Sequence, residues 1–120
     1  MAGYRQQLGR WGEMMAEDFL TGRGYRVIDR RWHGRYGEID LVASDPNATT
    51  LVFVEVKTRT SGAFGGLDAS IDRRKLARLS LAIERYVAEH RYRGSYRLDV
   101  ILIFKSAKIL IRHIQNISAE

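Results

Sequence analysis

The stretch "LVFVEVKT", residues 51–58, restricts the fold more than any other. Side chains alternate across a strand, so Leu51, Phe53, Glu55 and Lys57 share one face while Val52, Val54 and Val56 share the other. Both faces begin apolar, which marks a strand covered on both sides. Toward its end, one face switches to a carboxylate and an ammonium group. Desolvating an unpaired ion is costly, so these charges need compensation from each other, from a metal or from a substrate. The preceding "GEIDLVA", residues 37–43, reads as a second such strand, with Glu38, Asp40 and Val42 on one face. The connection "SDPNATT" is short and polar and holds the only proline. The two strands are therefore expected to pair antiparallel and to bring Asp40 alongside Glu55.

The rest of the chain supplies the covering layers. Residues 3–22 read as a helix, because Leu8, Trp11, Met15 and Phe19 recur at helical spacing with Gly12 and Ala16 beside them for close packing. "YRVIDRRWH" follows as a first strand. The glycine-rich "RTSGAFGGLDAS", residues 59–70, reads as a mobile loop. A second helix is expected over residues 71–90, burying Leu76, Leu79, Ile83 and Val87. "YRLDVILIF" and "ILIRHI" give a fourth and a fifth strand, joined through "KSAK". The order α-β-β-β-α-β-β predicts an α/β fold, one mixed sheet flanked by helices. A length of 120 residues suits a single domain over residues 1–120.

Composition narrows the chemistry. A net charge of +6 favours polyanionic partners, nucleic acid first among them. The absence of cysteine excludes disulfides, thiolate zinc sites and thiol nucleophiles. "MAGYRQQLGRWGEMM" lacks the apolar centre of a signal peptide, and "LDVILIF" is too short to span a membrane. A cytoplasmic protein with no membrane partner is expected.

Two carboxylates and a lysine at one end of a sheet suit metal-assisted attack on a phosphodiester. Carboxylates with water supply the hard oxygen ligands that magnesium prefers, leaving positions open for a substrate phosphate. The metal polarises the phosphoryl oxygen and acidifies a bound water. Lys57, two residues after Glu55, would point into the same pocket and stabilise charge building on the phosphate. The competing reading is a semi-buried ion pair of Lys57 with Glu55 or Asp40 that satisfies only its own members. Glu38 shares a face with Asp40 and could assist it, although a surface ion pair ranks first, and Asp99 reads as the partner of Arg97 on the same face. His33, His90 and His113 have no metal-ligand spacing and read as structural.

At Asp40, Glu55, Val56 and Lys57 the sequence resembles the PD-(D/E)XK nuclease superfamily, with "EID" where that superfamily's naming proline would stand. More closely, "GRWGEMMAEDFLTGRGYRVIDRRWHGRYGEIDLVA" followed by "LVFVEVKTR" resembles the YraN family, which is similar to archaeal Holliday-junction resolvases. The resemblance covers residues 9–104. It implies a restriction-endonuclease-like fold and a Mg2+-dependent endonuclease, with Mn2+ as substitute, acting on DNA at branched or irregular structures. Within it Asp40 and Glu55 match the metal-binding carboxylates, the Val56 carbonyl a backbone ligand, and Lys57 the catalytic lysine. Glu13, on the first helix, matches a further acidic residue of the resolvase-like branch. Junction resolution needs two sites facing two strands, and so a symmetric homodimer. The alternative is a non-catalytic nucleic-acid-binding or adaptor module on the same fold.

Arg73, Arg74, Lys75 and Arg78 crowd the opening turns of the second helix, where cations oppose the helix dipole. A phosphate docked there would satisfy both the free backbone N–H groups and the basic side chains. These four residues, with Arg59 beside the acidic set, are the expected DNA-backbone contacts; a solvated basic face is the competing reading. Trp32 and Tyr36, interleaved with Arg30, Arg31 and Arg35, could stack on unpaired bases, although packing ranks first for Trp32.

Overall fold

The computed structural model describes residues 3–60 and 72–117. The elements are α1 (Tyr4–Gly22), β1 (Arg26–Gly34), β2 (Gly37–Ser44), β3 (Thr50–Arg59), α2 (Arg73–Glu89), β4 (Ser95–Lys105) and β5 (Ile109–Ile114). This is the order expected from the sequence. The strands form one sheet in chain order. β3 and β4 run parallel, whereas the other three neighbouring pairs are antiparallel. A tight turn cannot join parallel neighbours, so the chain passes through α2 between them. Most of the expected mobile loop lies outside the described residues.

One helix covers each face of the sheet. On one side α1 packs over Leu41, Ala43, Val52, Val54, Ile101 and Ile103. On the other, α2 packs over Ile39, Val42, Leu51, Phe53 and Leu98. β3 is thus covered on both faces, as its alternating apolar residues require.

The helices meet the sheet along lines slightly different from those expected. Gly12, Ala16 and Leu20 are the buried residues of α1, and Leu8, Trp11, Met15 and Phe19 flank them half-buried. Small residues take the centre because the helix lies close: a Cβ on Gly12 would stand 1.9 Å from Thr58 Oγ1. On α2, Tyr86 is buried and Val87 only partly so. The Tyr86 ring packs edge-on against Trp32 and Phe53, each at 5.3 Å, and its hydroxyl donates to Asp29 at 3.2 Å. Trp32 is therefore a packing residue.

Asp99 is fully buried in the α1-side layer. Arg97 Nε donates to it at 3.0 Å, the Asn116 N–H donates at 2.9 Å, and His113 Nε2 lies 2.7 Å away. Burial alone would push this carboxyl up, but the hydrogen bonds from His113, Arg97 and Asn116 outweigh it and hold it below the usual carboxylate range. The expected Arg97 pair is present, and His113 serves it. Among the described residues, no helix is long and apolar enough to cross a membrane.

Candidate active site

The site forms where β2 parts from β3 while staying paired with β1. The β2–β3 ladder runs from Ser44↔Leu51 to Leu41↔Val54 and stops there. On the other side of β2, the paired residues run Arg30↔Leu41 and then Trp32↔Ile39. Opposite the gap, Arg31 has a φ of 44°, a left-handed conformation that costs a non-glycine residue about 1–2 kcal/mol. Strict alternation would place Glu38, Asp40 and Val42 on one face. Instead Ile39 and Val42 both pack against the α2 layer, while Leu41 and Ala43 pack against α1. The alternation slips by one residue at Asp40, because β2 is released from β3 at that point.

This slip brings Glu38 and Asp40 to Glu13 of α1. One carboxylate oxygen from each of Glu13, Glu38 and Asp40 lies within 4.8 Å of the other two. Arg31 Nε donates to Glu13 Oε1 at 2.8 Å, and His33 Nε2 stands 3.6 Å from Glu38. One helical turn beyond Glu13, Arg30 grips Glu17, with Nε to Oε1 at 2.7 Å, and so ties α1 to the edge strand β1. The three-acid group offers only oxygen donors, which suits a hard dication.

The other half of the site comes from the α2 face. Glu55 is 5% exposed, and its Oε2 lies 3.1 Å from Lys57 Nζ and 2.6 Å from Lys75 Nζ. Asp40 joins the halves. Its Oδ2 accepts from the Val56 N–H at 2.8 Å, and its carboxyl feels the charge of Glu55. Burial first, then the Glu55 charge, pushes Asp40 up to about 8, against the pull of the Val56 N–H. Burial would raise Glu55 as well, but Lys75 and Lys57 outweigh it and the net shift is downward. Lys57 is lowered by burial and by its neighbour Lys75, despite Glu55. Lys75 is raised, since Glu55 more than offsets its burial.

Glu13, Asp40, Glu55, Val56, Lys57 and Arg59 line one open cleft of about 600 Å³. Lys75 lines it too and is half-exposed, with its Nζ bound to Glu55. Arg73, Arg74 and Arg78 stand exposed on the first turns of α2. The helix N-terminus is less free for a phosphate than expected: Asp72 caps it, accepting from the Arg74 N–H at 2.9 Å. Two placements differ from the first-ranked sequence reading. Glu38 carried a signal, its spacing of two from Asp40. Lys75 carried none, because its approach to Glu55 depends on how α2 crosses the sheet.

The element order and the mixed five-stranded sheet between two helices are consistent with a restriction-endonuclease-like fold. Comparison with known proteins is more specific. The family model described as "Uncharacterised protein family UPF0102", which is the YraN family, matches residues 12–103, and the chain belongs to this family. A UPF0102 protein of Mycobacterium tuberculosis (strain ATCC 25618 / H37Rv) is 45% identical over 98 residues, covering 81% of this chain and 77% of the relative. A Mycobacterium avium relative is 46% identical over the same length and shares. The UPF0102 protein of Herpetosiphon aurantiacus is 40% identical over 126 residues and covers all of both chains. These relatives are bacterial.

Proposed function

We propose that the protein is a metal-dependent endonuclease that hydrolyses DNA phosphodiester bonds. The observation that carries this reading is the convergence of Glu13, Glu38 and Asp40, two of which, Glu13 and Asp40, line the same cleft as Lys57 and Arg59. Glu13, Glu38 and Asp40 would hold Mg2+, with Mn2+ as substitute. The family resemblance adds Glu55 and the Val56 carbonyl. A bound dication supplies Lewis-acid polarisation of the phosphoryl oxygen and a more acidic water.

The chain's own groups supply the rest. Lys57 offers a positive charge to the phosphate at the cleft and, with its affinity for protons lowered, can pass one at Nζ. Lys75 and Lys57 together keep Glu55 ionised in a buried place. Arg59 at the rim, and Arg73, Arg74 and Arg78 on α2, neutralise backbone phosphates. Cleavage of a four-way junction would require two such clefts and hence a homodimer, measurable by light scattering with and without DNA.

One observation favours a non-catalytic binding module instead. Glu13 is already engaged by Arg31, and Glu55 by two lysines. The test is a panel of labelled duplex, single strand, flap, junction and RNA with Mg2+ or Mn2+. Wild type should cut at least one DNA member and stop with EDTA, and Asp40→Ala should not cut. Binding without cleavage by wild type would select the module.

A further inference from the structure

A second hollow of about 740 Å³ adjoins the cleft and shares Glu55 and Lys75 with it. Its size falls within the range of about 300–1,000 Å³ that small-ligand sites occupy. One wall is Tyr36, at the tip of the two-residue turn between β1 and β2. Ala77, Leu79 and Ala82 of α2 give it an apolar side, and Arg74 and Arg78 add cations.

The two aromatics of "RRWHGRYG" have separate fates. Trp32 folds back over Gly34, where an added Cβ would stand 2.4 Å from its ring, and packs on Tyr86. Tyr36 is 41% exposed, and Arg35 lies over its ring at 5.8 Å. An exposed ring facing a hollow with apolar and cationic walls, next to a phosphodiester site, matches a nucleotide: a flat base with a phosphate attached. The carboxylates of Glu38 and Asp72 also line the hollow and repel phosphate, which directs the phosphate toward Arg74 and Arg78. A base stacked inside a duplex cannot enter such a hollow, whereas an unpaired one can.

We infer that this hollow receives one unpaired nucleotide beside the scissile phosphate, its base stacked on Tyr36. The inference rests on the nuclease reading and gives it a substrate class, DNA carrying an extrahelical or single-stranded nucleotide at the cut. Tyr36 is a specificity residue, and the chemistry stays with the acids and Lys57.

The test is fluorescence anisotropy with EDTA present, so that binding is read without cleavage. The probes are a duplex with one extrahelical nucleotide and the fully paired duplex of the same sequence. Stacking predicts that wild type and Tyr36→Phe bind the former about tenfold more tightly, and that Tyr36→Ala brings the ratio close to one. Circular dichroism checks that Tyr36→Ala is folded. If it is not, 2-aminopurine at the extrahelical position reads the same contact in wild type, with quenching expected on binding. Equal affinities in wild type, a preference that survives Tyr36→Ala, or an unquenched 2-aminopurine would overturn the inference. The nuclease reading fails separately. Preference without metal-dependent cleavage leaves the pocket and removes the enzyme, cleavage without preference does the reverse, and failure to bind either DNA removes the inference while the cleavage panel decides the enzyme.

Discussion

Gly12 is the point at which α1 touches β3, and replacing it by alanine tests how the site is held. On a free helix Gly→Ala stabilises by about 1 kcal/mol. Here the new methyl would sit 1.9 Å from Thr58 Oγ1, whereas ordinary contact begins at 3.4 Å. Rotating Thr58 can turn its Oγ1 away but does not move its Cβ, which stands 3.2 Å from the new methyl, still tighter than ordinary contact. The helix must therefore lift. Overpacking of this kind costs about 1–3 kcal/mol, which exceeds the propensity gain, so Gly12→Ala should destabilise by about 1 kcal/mol. Gly9, one turn earlier, has nothing within 4 Å, and Gly9→Ala should stabilise. Adding Thr58→Ala to Gly12→Ala should recover much of the loss. Urea denaturation of the four proteins measures this. Because Glu13 follows Gly12, lifting α1 also draws a carboxylate from its group, and calorimetry should show weaker Mg2+ uptake by Gly12→Ala. A midpoint that rises with Gly12→Ala, as with Gly9→Ala, would refute the reasoning.

Asp40→Asn should separate stability from function. The amide can still accept from the Val56 N–H, and being neutral it needs no proton taken up on folding to sit buried beside the Glu55 charge. Denaturation should show a gain of about 1 kcal/mol while Mg2+ uptake by calorimetry is lost. Replacing Arg73, Arg74 and Arg78 together by alanine should flatten the salt dependence of DNA binding, by about 0.9 in log–log slope for each phosphate left without its cation. Asp99, lowered in the folded state, binds fewer protons folded than unfolded. Its stabilisation is therefore complete above the unfolded value of about 3.9 and is lost as pH falls through the lower folded one. Asp99→Asn should reduce the acid dependence of the melting temperature below about pH 4 and lower stability at neutral pH.

The order of elements was legible because hydrophobic period and turn residues are local signals. The two apolar faces of β3 and the end-of-strand charges at Glu55 and Lys57 could likewise be read directly. What could not be read depends on where partners part or cross. The slip at Asp40 follows from the ladder ending at Leu41↔Val54, which no pattern in "GEIDLVA" announces. Glu38 therefore reads as a surface residue in the sequence, although it stands with Glu13 and Asp40. Lys75 looks like one more cation on a basic turn until α2 brings it over Glu55. The helix centre at Gly12 and Ala16 was half legible: small residues hinted at closeness, but not that closeness would displace the large side chains to the flanks.

The division of the site between two layers has a consequence for what survives partial unfolding. Glu13 is held through α1, Lys75 through α2, and Asp40 hangs from the strand between them. Peeling either helix away would leave only a remnant of the constellation, so fragments of the chain should be silent. Hydrolysis would then report that both covers are closed on the sheet.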